Sequence, residues 1–120
     1  MKAILGVRPM KRSPDIPFEV AERLRLLGER IRVARIRRRK GQEELAKACG
    51  IARATLQRIE AGAPGSTMGN VYAALWALGL LDSTSAVADP DADRHGITLE
   101  AARRARRVRG TEQAPDDNDF

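Results

Sequence analysis

The 120-residue chain is expected to be all-α, a compact bundle of four or five helices with a loose N-terminal arm and a partly disordered C-terminal tail. Three observations predict this. Apolar residues recur at helical spacing in successive stretches from Pro17 onward. Two short amphipathic segments within residues 42–62 meet at a single Gly50, and only residues 3–7 resemble a strand.

Whole-chain quantities limit what such a bundle does. One domain fits in this length, and the polar, Asp- and Pro-broken last third leaves about 60 to 80 residues for a core. The net charge is +6 and the isoelectric point near 10.4, values suited to a polyanionic partner. Placement matters more than the total: residues 1–62 hold sixteen Lys/Arg against seven Asp/Glu, and residues 63–120 hold six against nine. The anion-attracting end is therefore N-terminal. A single cysteine forbids an intrachain disulfide. No apolar run approaches the roughly 18 to 20 residues needed to span a bilayer, and the opening residues have too short an apolar core for a secretory signal. The expectation is a cytoplasmic protein without membrane partners.

Residues 1–16 carry Pro9, Pro14 and scattered basic residues, which predicts a loose arm. A short edge strand at residues 3–7, pairing with a second copy, is the sharper alternative. From Pro17 the spacing of Val20, Leu24, Leu27, Ile31 and Ala34 marks one face of a helix. Asp15 is placed as its N-cap and Pro17 in its first turn, with Glu19 and Glu22 complementing the positive end of the dipole. Gly28 weakens the middle by about 1 kcal/mol relative to Ala, so two shorter helices meeting there are allowed. The helix ends in Arg35, Arg37, Arg38, Arg39 and Lys40. Cations there oppose the negative end of the dipole, and the run reads either as a solvated face or as a phosphate grip.

The next helix opens with Gln42, Glu43 and Glu44 and turns Leu45, Ala46 and Cys49 inward. Cys49 has no neighbouring His or second Cys and is expected to be a small core residue. Gly50 supplies the left-handed conformation that ends the helix. In the following helix, about residues 53–61, Leu56 and Ile59 point to the core while Arg53, Ala54, Gln57 and Arg58 point out. That outward set suits the major groove: arginine pairs bidentately with guanine, glutamine with adenine, and alanine touches a thymine methyl. An ordinary polar helix face has the same pattern.

Pro64 and Gly65 form a turn, and Ser66 or Thr67 caps a helix running to Gly79. Val71, Leu75 and Leu78 make one stripe; Met68, Tyr72 and Trp76 make a second beside it, more apolar circumference than one buried side needs. Met68, Tyr72 and Trp76 are the expected dimer contacts, with Trp76 in the core or an interface. Beyond Leu81 one short helical turn is allowed near residues 83–88, and Pro90 is expected to break any helix. His95 beside Asp91 and Asp93 lacks the second nitrogen or sulfur ligand of a transition-metal site, so no metal or other cofactor is expected. Residues 97–110 offer a narrow stripe of Leu99, Ala102, Ala105 and Val108 among Arg103, Arg104, Arg106, Arg107 and Arg109, and the pattern leaves their folding open. Residues 111–120, with four acids and little to bury, are expected to be disordered. The expected organisation is thus an arm (1–16), a folded domain (17–81), a polar linker with an Arg-rich segment (82–110) and an acidic tail (111–120).

Ile31, Arg35, Gln42, Leu45, Ala46, Gly50, Ile51, Thr55, Leu56, Ile59, Glu60 and Gly62 together resemble the Xre, or phage-repressor, helix-turn-helix family. The resemblance implies a lambda-repressor-like bundle with a positioning helix from Gln42 and a recognition helix from Arg53. It further implies that residues matching Arg53, Ala54, Gln57 and Arg58 meet bases or phosphates, and base reading is the role expected of them here. Phosphate contacts would come from Gln42 and Thr55, beside the basic run of Arg37, Arg38, Arg39 and Lys40. It also implies an Arg35–Glu60 ion pair tying the first helix to the third. Two departures stand out. The turn after the first helix reads Arg39, Lys40, Gly41, where the family often has a glycine, an apolar residue and a Ser/Thr cap. The usual Ser/Thr cap of the recognition helix is Ala52, whose lack of a side-chain acceptor forfeits about 1 kcal/mol.

The longer layout, with the helix MGNVYAALWALGLL, an Asp-rich segment and RRVRG near the end, is similar to HipB-type antitoxins encoded with HipA-like kinase toxins. That similarity implies a homodimer that binds a palindromic double-stranded DNA operator, represses its own operon and neutralises a HipA-like kinase. The alternative is a protein-interaction adaptor or a stand-alone Xre-type regulator with no toxin partner. No catalytic motif supports an enzyme.

Overall fold

The computed structural model describes residues 16–110. The expected arm apart from Ile16, its strand-like residues 3–7, the Asp15 cap and the tail at 111–120 lie outside the described residues. Within them the helices are α1 (Phe18–Arg37), α2 (Gln42–Cys49), α3 (Arg53–Glu60), α4 (Met68–Ala77) and α5 (Arg94–Gly110). Two short 3-10 turns, Leu81–Thr84 and Pro90–Ala92, precede α5, and no strand occurs among the described residues. Two units result, one ending at Asp82 and the other beginning at Ser83.

In the first unit the inward faces of four helices converge. Ile31 and Ala34 of α1, Leu45 and Ala46 of α2, Leu56 and Ile59 of α3, and Ala74 and Leu75 of α4 are buried, with Leu78 closing the end. Ile31, Leu45 and Leu56 are the largest fully buried side chains, each contributing roughly 1.5 to 3 kcal/mol relative to exposure. Cys49 is half-buried against this cluster, and burial pushes its thiol pKa up, so the neutral form packs there.

α1 is one continuous helix rather than two that meet at Gly28. Gly28 is buried where α1 crosses the end of α3, and a β-carbon there would lie 2.5 Å from the Ile59 carbonyl oxygen and 2.6 Å from that of Glu60. Gly62 makes the reciprocal approach: its β-carbon would fall 2.6 Å from the Arg25 α-carbon, and its φ of 78° is left-handed. Two missing side chains therefore set the distance between α1 and α3. The helix-propensity penalty at Gly28 is offset by this close packing.

The four helices of this unit end in one way. After each, the two residues beyond the last turn donate backward in the paired 6→1 and 5→2 pattern of a Schellman motif. In α1 Lys40 N reaches Arg35 O at 3.2 Å and Arg39 N reaches Ile36 O at 2.9 Å. In α4 Leu80 N reaches Leu75 O at 2.8 Å and Gly79 N reaches Trp76 O at 3.0 Å. The left-handed position is glycine after α2, α3 and α4, at Gly50, Gly62 and Gly79, but arginine after α1, where Arg39 has φ 56°. At the other ends, Pro17, Gly41 and Ala52 cap α1, α2 and α3 without a side-chain hydrogen bond, whereas Thr67 Oγ1 accepts from Asn70 N at 3.1 Å.

In the second unit Pro90 opens a 3-10 turn instead of merely interrupting the chain, because Asp89 Oδ1 accepts from Asp91 N at 2.9 Å. Asp93 then does the same for α5, accepting from Gly96 N at 2.9 Å. The segment 97–110, whose folding the sequence pattern left open, lies within the 17-residue helix α5, and every residue from 94 to 109 except half-buried Gly96 is exposed.

Candidate nucleic-acid interface

α3 owes its orientation to a chain of polar contacts that starts inside the molecule. Arg35 donates from Nε to Glu60 Oε2 at 2.7 Å and from Nη2 to Glu60 Oε1 at 3.0 Å, a two-point pair between buried side chains. Its remaining nitrogen, Nη1, donates to the Lys40 carbonyl at 2.8 Å, so one guanidinium ties α3 to α1 and also closes the basic turn. Glu60 Oε1 accepts a further bond from Gln42 Nε2 at 3.0 Å, and Gln42 Oε1 accepts from Gln57 Nε2 at 3.2 Å. The order Lys40, Arg35, Glu60, Gln42, Gln57 thus leads from the turn after α1 to the outer face of α3.

The charges follow from this arrangement. Burial pushes the Glu60 carboxyl up, but hydrogen bonds from Arg35 and Gln42, together with the Arg35 charge, outweigh it and hold the pKa below the ordinary range. The Arg35 guanidinium is raised by its hydrogen bond to Glu60, with burial acting against it. Both groups are ionised at neutral pH, and the pair leaves no net charge under α3.

Outside the core α3 exposes Arg53, Ala54, Gln57 and Arg58, which fall within an arc of roughly 140° at 100° per residue. Thr55 is half-buried at its edge, and its hydroxyl lies 3.5 Å from Arg58 Nη2. Arg37, Arg38 and Arg39 are exposed and Lys40 is half-buried. Arg38 is partly engaged, its Nη1 donating to the Ala34 carbonyl at 2.8 Å. Gln42 spends one amide hydrogen on Glu60 and keeps the other, while its oxygen serves Gln57.

Two features of this surface escape a residue-by-residue reading. Glu43, read only as an acid in a first helical turn, lies 3.9 Å from Arg53 Nη1, with both side chains exposed. An anion or base edge at Arg53 competes with it. The Gln42–Gln57 bond joins residues fifteen apart on different helices, which no local periodicity reveals.

The expected dimer contacts lie on another face of the first unit. Met68 is 69% and Trp76 60% exposed, so Trp76 is not a core residue of the single chain. Its helix packs on the core through Ala74 and Leu75, the two residues that precede the ring. Met68 and Tyr72 line an apolar groove of ≈ 200 Å³ together with Leu24, Leu27 and Val71. Ser66 also lines it, and its Oγ is buried without a hydrogen-bond partner. Among the described residues no helix is long and apolar enough to cross a membrane, and no group of three His, Cys, Asp or Glu side chains is placed to hold a metal ion.

A model of the helix-turn-helix domain matches residues 26–86, which include the last three turns of α1, all of α2, α3 and α4, and the first 3-10 turn. Neither the curated proteins nor the solved structures gave a match to the chain.

Proposed function

Since the chain belongs to the helix-turn-helix domain family, with just over half its length matched, we propose that it is a sequence-specific transcriptional repressor that binds a palindromic DNA operator as a homodimer. The observation that carries this reading is the outward set Arg53, Ala54, Gln57 and Arg58 on a helix held from behind by Gln42, Glu60 and Arg35. Such a helix meets base edges with side chains whose donors and acceptors are already directed. Arg37, Arg38, Arg39, Lys40, Gln42 and Thr55 contact phosphates at its margins, fixing register without reading sequence.

Pairing of two chains through Met68, Tyr72 and Trp76 is supported by the exposure of a large aromatic ring and a thioether on one helix. In a dimer on a palindrome the two copies of α3 sit roughly 34 Å apart, one turn of duplex. The finer identity, an antitoxin that represses its own operon and neutralises a HipA-like kinase, rests on the layout of α4 followed by an Asp-rich and then an Arg-rich segment.

The test is binding to the DNA upstream of its own gene. Affinity there should exceed that for scrambled duplex and fall steeply with salt, and Arg53→Ala should erase the preference. Equal weakening on every duplex would remove the base-reading role of Arg53. For the antitoxin, the product of the adjacent gene should be a kinase that copurifies with the full chain and loses activity when bound; a neighbour of any other kind leaves a stand-alone repressor.

A further inference from the structure

α5 lies beyond the residues matched by the helix-turn-helix model, and the base-reading surface makes no use of it. Six arginines and one glutamate make up its charged residues apart from His95. Glu100 pairs with Arg104 in an exposed contact at 3.3 Å. At 100° per residue Arg103, Arg106, Arg107 and Arg109 occupy an arc of roughly 160°, and the opposite side holds Ile97, Ala101, Ala105 and Val108. A helix with no buried side chain among residues 94–109 is marginal in water, stabilised here by the Asp93 cap and a last turn rich in arginine. Close-set cations on one face repel one another, and that repulsion is relieved when an anionic surface lies against them.

The chemistry of the two faces selects the partner. Insertion into a lipid interface calls for bulky apolar side chains, and half of the apolar stripe is alanine. A protein groove that takes a helix likewise draws its affinity from large apolar anchors. The arginine arc instead matches a surface of regularly repeated negative charge, and the helix-turn-helix unit of the same chain brings one within reach. Once that unit is bound, the tether raises the local concentration of α5 at the duplex to about the millimolar range, so weak contacts suffice.

We propose that α5 is a second DNA-binding element, gripping duplex phosphates through Arg103, Arg106 and Arg109 without regard to base sequence. The proposal rests on the DNA-binding reading of the helix-turn-helix unit and adds to it a contact that supplies affinity but no specificity.

The experiment is a fluorescence-anisotropy titration of the full chain on its upstream duplex and on a scrambled duplex between 50 and 200 mM salt. It compares wild type, the triple variant Arg103→Gln/Arg106→Gln/Arg109→Gln, the corresponding triple Lys variant, and Arg53→Ala. Three released phosphate contacts lower the slope of log K against log salt by about 2.7, so the Gln variant should lose about 40-fold less affinity than wild type across this range. The reduction should be equal on both duplexes, and the Lys variant should keep the wild-type slope, which separates loss of charge from loss of helix. An unchanged slope in the Gln variant, while Arg53→Ala still erases preference for the upstream duplex, overturns the proposal and leaves the helix-turn-helix reading intact. So does an unchanged slope accompanied by loss of binding to anionic lipid vesicles. A wild-type chain that binds neither duplex overturns both.

Discussion

Arg35 and Glu60 face each other across twenty-five residues of chain in a two-point ion pair, 2.7 and 3.0 Å, that joins α1 to the last turn of α3. Both are nearly enclosed, and Gln42 takes the second lone pair of Glu60 Oε1. Arg35→Ala leaves a buried carboxylate with a single neutral partner and frees the Lys40 carbonyl. The expected loss is about 3 to 5 kcal/mol, a large share of the stability of a unit this small. Urea denaturation of the variant measures it. The double variant Arg35→Met/Glu60→Leu should recover much of the loss, since burying an ion pair stabilises little more than burying apolar side chains of similar volume.

The same pair sets an acid limit. Glu60 holds its proton less tightly in the folded chain than in the unfolded one, so below the unfolded value, near pH 4, the unfolded state binds more protons. The stabilisation is fully present above that pH and is lost as pH falls through the depressed folded value. Thermal melts between pH 7 and 2.5 should show this decline, and Glu60→Gln, less stable at pH 7, should show a shallower one.

Gly28→Ala separates two effects of opposite sign. Helix propensity alone favours the alanine by about 1 kcal/mol. Its methyl group, however, meets the backbone oxygens of Ile59 and Glu60 at 2.5 and 2.6 Å, and backbone cannot rotate out of the way as a flexible side chain does. The expected net result is destabilisation of about 1 to 3 kcal/mol. Chemical denaturation decides the sign, and a more stable variant would show that α1 and α3 separate easily.

These residues also show what could be read before the structure and what could not. The boundaries of α2 and α3 follow from period and punctuation, Gly50 after α2 and Gly62 after α3 being free to turn left-handed without strain. Arg35 and Glu60 are legible only through the family pattern, because their contact crosses the bundle. Gly28 reads as a weak point in a helix when taken locally, and becomes a packing surface only once the end of α3 is known to lie against it. Trp76 reads as either core or interface, and the single chain removes the first of these, because its helix buries the neighbouring Ala74 and Leu75 instead. α5 is obscured by the alternation of alanine and arginine, and its start signal is Asp93, a capping aspartate among several in a segment that resembles a linker. For the outward residues of α3, periodicity gives the exposure, but Glu43 beside Arg53 and Gln42 beside Gln57 emerge only in three dimensions.

Gln42 stands between the buried pair and the outer face, so its removal should affect recognition more than folding. Gln42→Ala deletes a bond to Glu60 and the acceptor that holds the Gln57 amide, at an expected cost of about 1 to 2 kcal/mol in stability. Preference for the upstream duplex over scrambled DNA should fall more than the affinity for scrambled DNA does, since Gln57 then samples several rotamers before meeting a base. Parallel titrations of the two duplexes measure this. An equal fall on both would assign Gln42 to phosphate contact alone.

Arg39 offers the converse case, a residue whose removal should strengthen the fold. It occupies the left-handed position of a Schellman motif that glycine fills after the three following helices, and a side chain there costs roughly 1 kcal/mol. Arg39→Gly should therefore raise stability by about that amount in denaturant titrations. It also removes an exposed cation from the turn beside α2, so affinity for all duplexes should drop together and the salt slope should become shallower by about one phosphate contact. Arg39→Ala loses the charge while keeping the strain. If its affinity matches that of Arg39→Gly, the guanidinium is what binds DNA; if Arg39→Ala instead binds like the wild-type chain, the residue is not a phosphate contact and the strain at φ 56° has no counterpart in function.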